Sequence, residues 1–251
     1  MSRAEGVIDV EAEAPVASWV LPVLAVVLTA GMLGYLQVAS LDSIEQRVLV
    51  PDAILDATIQ HINLVVASTL LVIVIAVPLG ILLSRRRARW LGAPVLALAN
   101  AGQAIPSIGV LVLLAILVGV GFSMAVVALV IYALLPVLRN TMVGLQQVDR
   151  SLIDAGRGMG MSARQVLTTI ELPLAVPVML AGIRVALILN VGVAALATYT
   201  NAGGLGTFIE SGIVFNRMPI LLTGSVLTIA LALIVDWLAG LAENKLRPRG
   251  L

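Results

Sequence analysis

The sequence predicts an all-α membrane protein with about six transmembrane helices and with its N-terminus and C-terminus both in the cytoplasm. Three observations carry that reading. Of 251 residues, 60% are hydrophobic and 12% charged, with a mean hydropathy of +1.10; a soluble domain is about half apolar and about a quarter charged. The apolar residues form continuous runs, not the alternating segments of about ten residues that mark barrel strands. Arginine and lysine gather in alternate connections between those runs.

A helix needs about 20 apolar residues to cross ~30 Å of hydrocarbon. Residues 1–17 carry Glu5, Asp9, Glu11 and Glu13 against Arg3 alone. A secretory leader begins with positive charge, so this stretch reads as a cytoplasmic tail and the first apolar run, 18–39, as a retained span. It forms, with the polar and partly helical external stretch that follows, an additional N-terminal unit over 18–57. The second span, 62–84, carries no charge. Residues 91–138 are also uncharged, too long for one helix at about 1.5 Å per residue. They must reverse, and Gly119-Val120-Gly121-Phe122-Ser123 is the break, which gives a third span at 94–117 and a fourth at 124–138. A fifth follows at 177–200 and a sixth at 218–238, before a tail at 242–251. Pro78, Pro106 and Pro136 are expected to kink their spans. Trp19, Trp90 and Trp237 fall near span ends, where aromatic rings anchor at the interface.

Orientation follows the cations. Arg85, Arg86, Arg87 and Arg89 follow span two; Arg139, Arg150, Arg157 and Arg164 follow span four; Lys245, Arg247 and Arg249 close the chain. With six spans all three groups share one side, and the other holds only Arg47 and Arg217. That asymmetry places the first side in the cytoplasm.

The connection 139–176 on that side is long enough to need a function. Residues 149–157 read as a short helix, Gly160 as a tight turn, and Ser162-Ala163-Arg164-Gln165 as the capping box of a second helix that Pro173 ends. Within it stand Asp154-Ala155-Gly156, three residues, Gly160, nine residues, and Ile170-Glu171-Leu172-Pro173. This pattern resembles the EAA loop of binding-protein-dependent ABC importer permeases: Glu-Ala-Ala, three residues, Gly, nine residues, Ile-x-Leu-Pro. Every interval matches; Asp154 replaces Glu and Gly156 replaces the second Ala. Asp keeps the charge, and Gly156 should loosen the first helix by roughly 1 kcal/mol relative to Ala.

The similarity extends over 58–241. Ser68-Thr69-Leu70 through Pro78-Leu79-Gly80 looks like the opening span of these domains. Gln103-Ala104-Ile105-Pro106-Ser107 and Asn201-Ala202-Gly203-Gly204-Leu205-Gly206 look like the osmoprotectant branch, which imports glycine betaine, choline or carnitine. The resemblance implies a type I ABC importer transmembrane domain whose loop, through Asp154, Ala155, Gly156, Gly160, Ile170, Leu172 and Pro173, couples to an ATPase subunit. The implied partners are two ATP-binding subunits, a second permease copy or paralogue, and an extracytoplasmic substrate-binding protein. Methionine, other amino acids and sulfonates are alternative cargoes for the same machine.

The chain itself reads as a transport subunit and not an enzyme. There is no cysteine and only one histidine, too few ligands for zinc, and no Gly-x-x-x-x-Gly-Lys-Ser/Thr phosphate cradle. The expectation is therefore no metal and no cofactor in this chain, with ATP and Mg bound by the partner. Lipid is the remaining partner, and nothing calls for nucleic acid. A quaternary ammonium group asks for an aromatic cage, and three Phe, three Trp and three Tyr spread along the chain do not suggest one. Recognition is therefore assigned to the binding protein. Polar side chains within spans are candidates for a low-affinity path: Gln103 and Ser107 with Asn100 on span three, together with Pro106 between them, and Asn190 on span five. Arg184 and Asp236 lie near the cytoplasmic ends, where they snorkel or pair with each other. His61 reads as a surface residue at the outer interface, with pH sensing the sharper alternative. A secondary transporter or channel is the competing class, but its midplane ionisable residues and inverted repeats are not found.

Overall fold

The computed structural model describes residues 19–246. The expectations for the 1–17 tail, Ser18, Arg247 and Arg249 lie outside them. Among the described residues the fold is helical throughout, without a strand. Its α-helices are α1 (Val20–Val38), α2 (Ser43–Val48), α3 (Pro51–Ser84), α4 (Gly92–Ala104), α5 (Ser107–Leu117), α6 (Phe122–Gln147), α7 (Arg150–Gly158), α8 (Ala163–Val166), α9 (Leu172–Ala194), α10 (Gly206–Val214) and α11 (Met218–Leu246).

Five helices are long and apolar enough to cross a membrane: α1, α3, α6, the continuous stretch Ala163–Thr200 and α11. The expected third span, 94–117, is not a straight helix. It is two helices meeting at 92°. Pro106 has no N–H to continue α4, and its ring drives Ile105 out of helical backbone, to φ −76° and ψ 134°. A local kink was expected there and a right-angled elbow is found. Pro78 and Pro136, by contrast, lie inside unbroken α3 and α6. The reversal after α5 falls where expected, with Gly119 at φ 135° and Gly121 at φ 114°.

Pro173 does not end the helix begun at Ser162. The chain continues from α8 through a π-helical turn, Leu167–Glu171, into α9, with Pro173 in the first turn of α9. The wider turn relieves the clash that a proline ring makes with the carbonyl of the preceding turn.

The centre of the fold is α6, wedged between α3 and α9. Lipid offers no hydrophobic drive for helix association, so close approach through small residues takes its place. Gly80 of α3 faces Thr141, Gly182 of α9 lies over Asn140 and the Pro136 carbonyl, and Gly144 of α6 lies on the Ala175 carbonyl. The hairpin of α10 and α11 is tighter still. A β-carbon at Gly212 would lie 2.4 Å from the Leu221 backbone nitrogen, and one at Gly224 2.9 Å from that of Ile209.

The first helix, α1, packs antiparallel on α11. Trp19 lies 5.9 Å from Trp237 between ring centroids at one end, and Arg217 pairs with Asp42 at 2.9 Å at the other. Asp42 also caps α2, accepting from the Ile44 and Glu45 amides at 2.9 and 2.8 Å while Glu45 returns a bond to the Asp42 amide. The Glu45 amide first, with Arg217 assisting, holds the Asp42 carboxyl below the usual carboxylate range. A groove of about 510 Å³ lies between α1, α3 and α11, lined by side chains such as Leu33, Leu36, Ile54, Leu55 and Leu231. It contains none of the expected path residues.

The Gly182 contact yields a prediction. In Gly182→Val the new β-carbon meets Asn140 Cβ at 2.6 Å and the Pro136 carbonyl oxygen at 2.8 Å, and neither can swing away. The variant should lose about 1–3 kcal/mol, read as a lower unfolding midpoint in detergent; an unchanged midpoint would show that α6 and α9 can separate without cost.

Candidate functional site

The loop between α6 and α9 folds into a compact knob. Asp149 caps α7 by accepting from the Ser151 amide at 2.8 Å, and that bond holds its carboxyl below the usual range. Gly160 ends α7 with φ +85°. The Met161 amide reaches back to the Gly156 carbonyl at 3.1 Å and the Gly160 amide to the Arg157 carbonyl at 2.9 Å. These two bonds are the Schellman pattern that satisfies a helix's last carbonyls. Ser162 and Gln165 then form the expected capping box: the Ser162 amide donates to Gln165 Oε1 at 2.8 Å and the Gln165 amide to Ser162 Oγ at 3.4 Å.

The motif residues divide by exposure. Asp154, Ala155, Gly160 and Pro173 are exposed, Ile170 and Leu172 are half-buried, and Gly156 is buried. A β-carbon at Gly156 would lie 2.6 Å from Ile170 Cδ1. The letter that departs from Glu-Ala-Ala is thus the place where the first part of the motif rests on the last. Arg157 and Asp154 pair at 3.7 Å on the solvent side, an arrangement worth little in stability. Leu152 and Met159 are 46% and 73% exposed, so the knob offers an apolar surface beside its charges.

The knob's base is held by a contact not expected from sequence. Arg85, at the end of α3, meets Glu171 in the π-helical turn with both terminal guanidinium nitrogens, Nη1 at 3.2 Å from Oε1 and Nη2 on Oε2. Glu171 is buried. The available signal was an acidic residue inside the Ile-x-Leu-Pro stretch, opposite a run of arginines.

Among the expected path residues, Gln103, Pro106 and Ser107 come together at the α4–α5 elbow, with Pro106 exposed and Gln103 and Ser107 half-buried. Asn100 is exposed one turn earlier. Two prolines explain the elbow's chemistry. Pro136 lacks the N–H that would bond the Tyr132 carbonyl four residues back, and Gln103 Nε2 donates to that carbonyl at 2.6 Å. The Tyr132 hydroxyl in turn donates to the Ile105 carbonyl at the elbow. Tyr132 was not picked out in the sequence, although its place four residues before Pro136 marks an orphaned carbonyl.

Asn190 lies apart from this group. It is fully buried and donates from Nδ2 to Thr69 Oγ1 of α3 at 3.0 Å, while its Oδ1 has no protein partner. His61 is not a surface residue: it is fully buried. Its Nδ1 accepts from the Leu205 amide at 3.3 Å and its Nε2 lies 3.0 Å from the Val191 carbonyl. A ring that accepts at Nδ1 carries its proton at Nε2, so both nitrogens are satisfied in the neutral form. Beside it Gln60 Oε1 accepts from the Gly204 amide at 3.0 Å, so α3 holds the 203–206 glycine turn through two adjacent side chains. Arg184 and Asp236 do pair, with Glu243 adding a second acidic group 3.7 Å from the guanidinium.

Residues 76–248 match the family described as the inner membrane component of binding-protein-dependent transport systems. The chain belongs to that family. This permease is 39% identical over 196 residues to a carnitine transport permease protein of Listeria monocytogenes, covering 77% of this chain and 88% of that one. It is 40% identical over 199 residues to an osmoprotectant import permease protein of Salmonella typhimurium, covering 77% and 92%. It is 37% identical over 194 residues to a choline transport system permease protein of Bacillus subtilis, covering 77% and 88%. Among solved structures, it superposes on an inward-facing form of the MetNI methionine ABC transporter with TM-score 0.70 and 25% identity, over 78% of this permease and 96% of that chain. It also superposes on an amino acid ABC transporter crystallised with histidines, with TM-score 0.67 and 15% identity over 82% and 100%; at that identity the likeness is one of fold. The fold is thus that of type I ABC importer transmembrane domains, and the permease is a multi-pass inner-membrane protein.

Gly160 permits a direct test of the knob. Valine at φ +85° costs about 1–2 kcal/mol in left-handed backbone and breaks the Schellman turn. Gly160→Val should abolish transport while the permease still reaches the membrane at normal abundance. Normal uptake by the variant would show that the turn is not needed.

Proposed function

We propose that this permease forms the membrane pathway for quaternary-amine osmoprotectants, of the glycine betaine, choline and carnitine type, in an ATP-driven importer working by alternating access. The observation that supports this cargo is the set of relatives named above, whose functions are carnitine, choline and osmoprotectant transport at 37–40% identity over most of their length. Methionine is the second reading, favoured by the superposition on the methionine transporter; it ranks lower because identity there is 25% against 39% and 40%.

In this reading the knob seats on an ATPase subunit. Leu152 and Met159 supply the apolar contact, Asp154 and Arg157 its charged border, and the caps around Gly160 make the knob rigid enough to be pushed. Two such subunits bind ATP and Mg and perform all hydrolysis. A second permease copy or a paralogue completes the pathway, and an extracytoplasmic binding protein delivers cargo. The elbow carrying Gln103, Pro106 and Ser107 contributes to the low-affinity path. Asn190 contributes through its unpartnered Oδ1.

The orientation belongs to the same proposal. Arg86, Arg87 and Arg89 are exposed on the connection after α3, and Arg139 near the end of α6, so this face lies in the cytoplasm together with the knob and both termini. The chain has no native cysteine, so single thiols report cleanly. A cysteine in place of Arg87 should be shielded from a membrane-impermeant maleimide in intact cells and react after permeabilisation, with Arg47→Cys behaving the opposite way. The reverse pattern would invert the topology.

The cargo is tested by uptake of labelled glycine betaine in a strain without other betaine importers, with and without this permease. Permease-dependent uptake competed by choline or carnitine is expected. Uptake that does not depend on the permease would rule out the osmoprotectant reading and favour amino-acid cargo.

A further inference from the structure

Polar contacts join α3 to the chain between Glu171 and Leu205 at three levels. At the basic end Arg85 holds Glu171 with two hydrogen bonds. Between the ends Asn190 donates to Thr69. At the opposite end His61 bonds the Val191 carbonyl and the Leu205 amide, and Gln60 accepts from the Gly204 amide. A helix of 34 residues at about 1.5 Å per residue is long enough to cross the whole bilayer. The C-terminal end of α3 is therefore fastened to the base of the knob, and its N-terminal half, at Gln60 and His61, to the glycine turn on the far side.

The Arg85–Glu171 contact differs from the other ion pairs in this structure. Its carboxylate is 7% exposed, and its two parallel bonds fix the relative orientation of the two groups as well as their distance. It also bridges α3 and the Ile-Glu-Leu-Pro stretch across 86 residues of sequence. The knob's own caps act within 149–165, so they stiffen it without attaching it to α3.

We infer that Arg85 and Glu171 are positioning residues for transport: their ion pair straps the knob to α3, so that displacement of the knob by the ATPase moves the Gln60–His61 clasp on the Gly203–Gly206 turn at the far face. The inference rests on the importer reading above. The strap touches neither cargo nor nucleotide; it converts a push at the knob into motion of a rod. Removing it leaves the knob docked and the ATPase able to cycle, with the outer half of α3 no longer following.

The test uses the complete importer in proteoliposomes, with Asp56→Cys on the exposed flank of α3 as the single thiol, labelled by impermeant maleimide with and without vanadate trapping of the ATPase after hydrolysis. In the parent, trapping should change the labelling rate by about fivefold or more, within the range of allosteric couplings. Arg85→Ala should abolish that change and lower uptake per ATP hydrolysed while hydrolysis continues. Because the single variant leaves a buried carboxylate unpaired, Arg85→Ala/Glu171→Ala serves as the second variant and should show the same uncoupling in a stably assembled complex. The reversed pair, Arg85→Glu/Glu171→Arg, should recover the labelling change. Labelling that ignores trapping in the parent, or that responds to it equally in the double-alanine variant, overturns the inference. The labelling does not depend on cargo, so failure of betaine uptake in the parent would count against the cargo reading alone.

Discussion

Backbone hydrogen bonding in an apolar solvent is the constraint that organises this fold. A helix in lipid can leave no carbonyl without a donor, yet prolines stand inside α3, α6 and α9 and at the α4–α5 elbow. Each proline removes a donor, and around Pro106, Pro136 and Pro173 the structure replaces it or avoids needing it. Gln103 supplies the bond that Pro136 cannot, and Tyr132 covers the carbonyl exposed where Pro106 turns the chain. The π-helical turn before Pro173 makes room for its ring. Several polar side chains within the spans are thereby committed to backbone repair.

That commitment bears on the residues proposed for the path. Gln103 stands at a bent, half-exposed elbow and is also the group that holds the elbow to α6. Its amide nitrogen is engaged and its amide oxygen is available. Asn190 shows the same division in a buried setting, with Nδ2 on Thr69 and Oδ1 unpartnered. In both residues, then, the structural bond and the group proposed for the pathway are opposite ends of one amide.

The legible parts of the molecule were those governed by local chemistry. Apolar run length located the spans, Gly119 and Gly121 located the reversal, and the Ser162–Gln165 capping box was readable because its partners are three residues apart. The elbow was only half legible. Pro106 announced a disturbance, but a right angle depends on Tyr132 and Gln103 meeting across two helices, which no local pattern records. Pro173 read as a stop because proline ends helices in water, and here a widened turn carries the helix through it. His61 read as a surface residue for want of a partner in sequence. Its partners, Val191 and Leu205, lie at separations of 130 and 144 residues. Gly156, read from sequence only as a loosening of α7, is also the bed for Ile170.

The α10–α11 hairpin carries a consequence for heredity. At Gly206, Gly212 and Gly224 the space for a β-carbon is already filled, at Gly206 by the Ala195 carbonyl. Glycine is encoded so that any change in the first two bases of its codon adds a side chain or stops translation. Of all the replacements that single-base mutation offers at these three sites, none is steric neutrality. The lipid-facing valines and leucines of α1 are in the opposite position, since one branched side chain does there what another does. Within one polypeptide, then, an exchange of side chain is sterically open along the outer helix and closed at the hairpin, according to how near the next backbone lies.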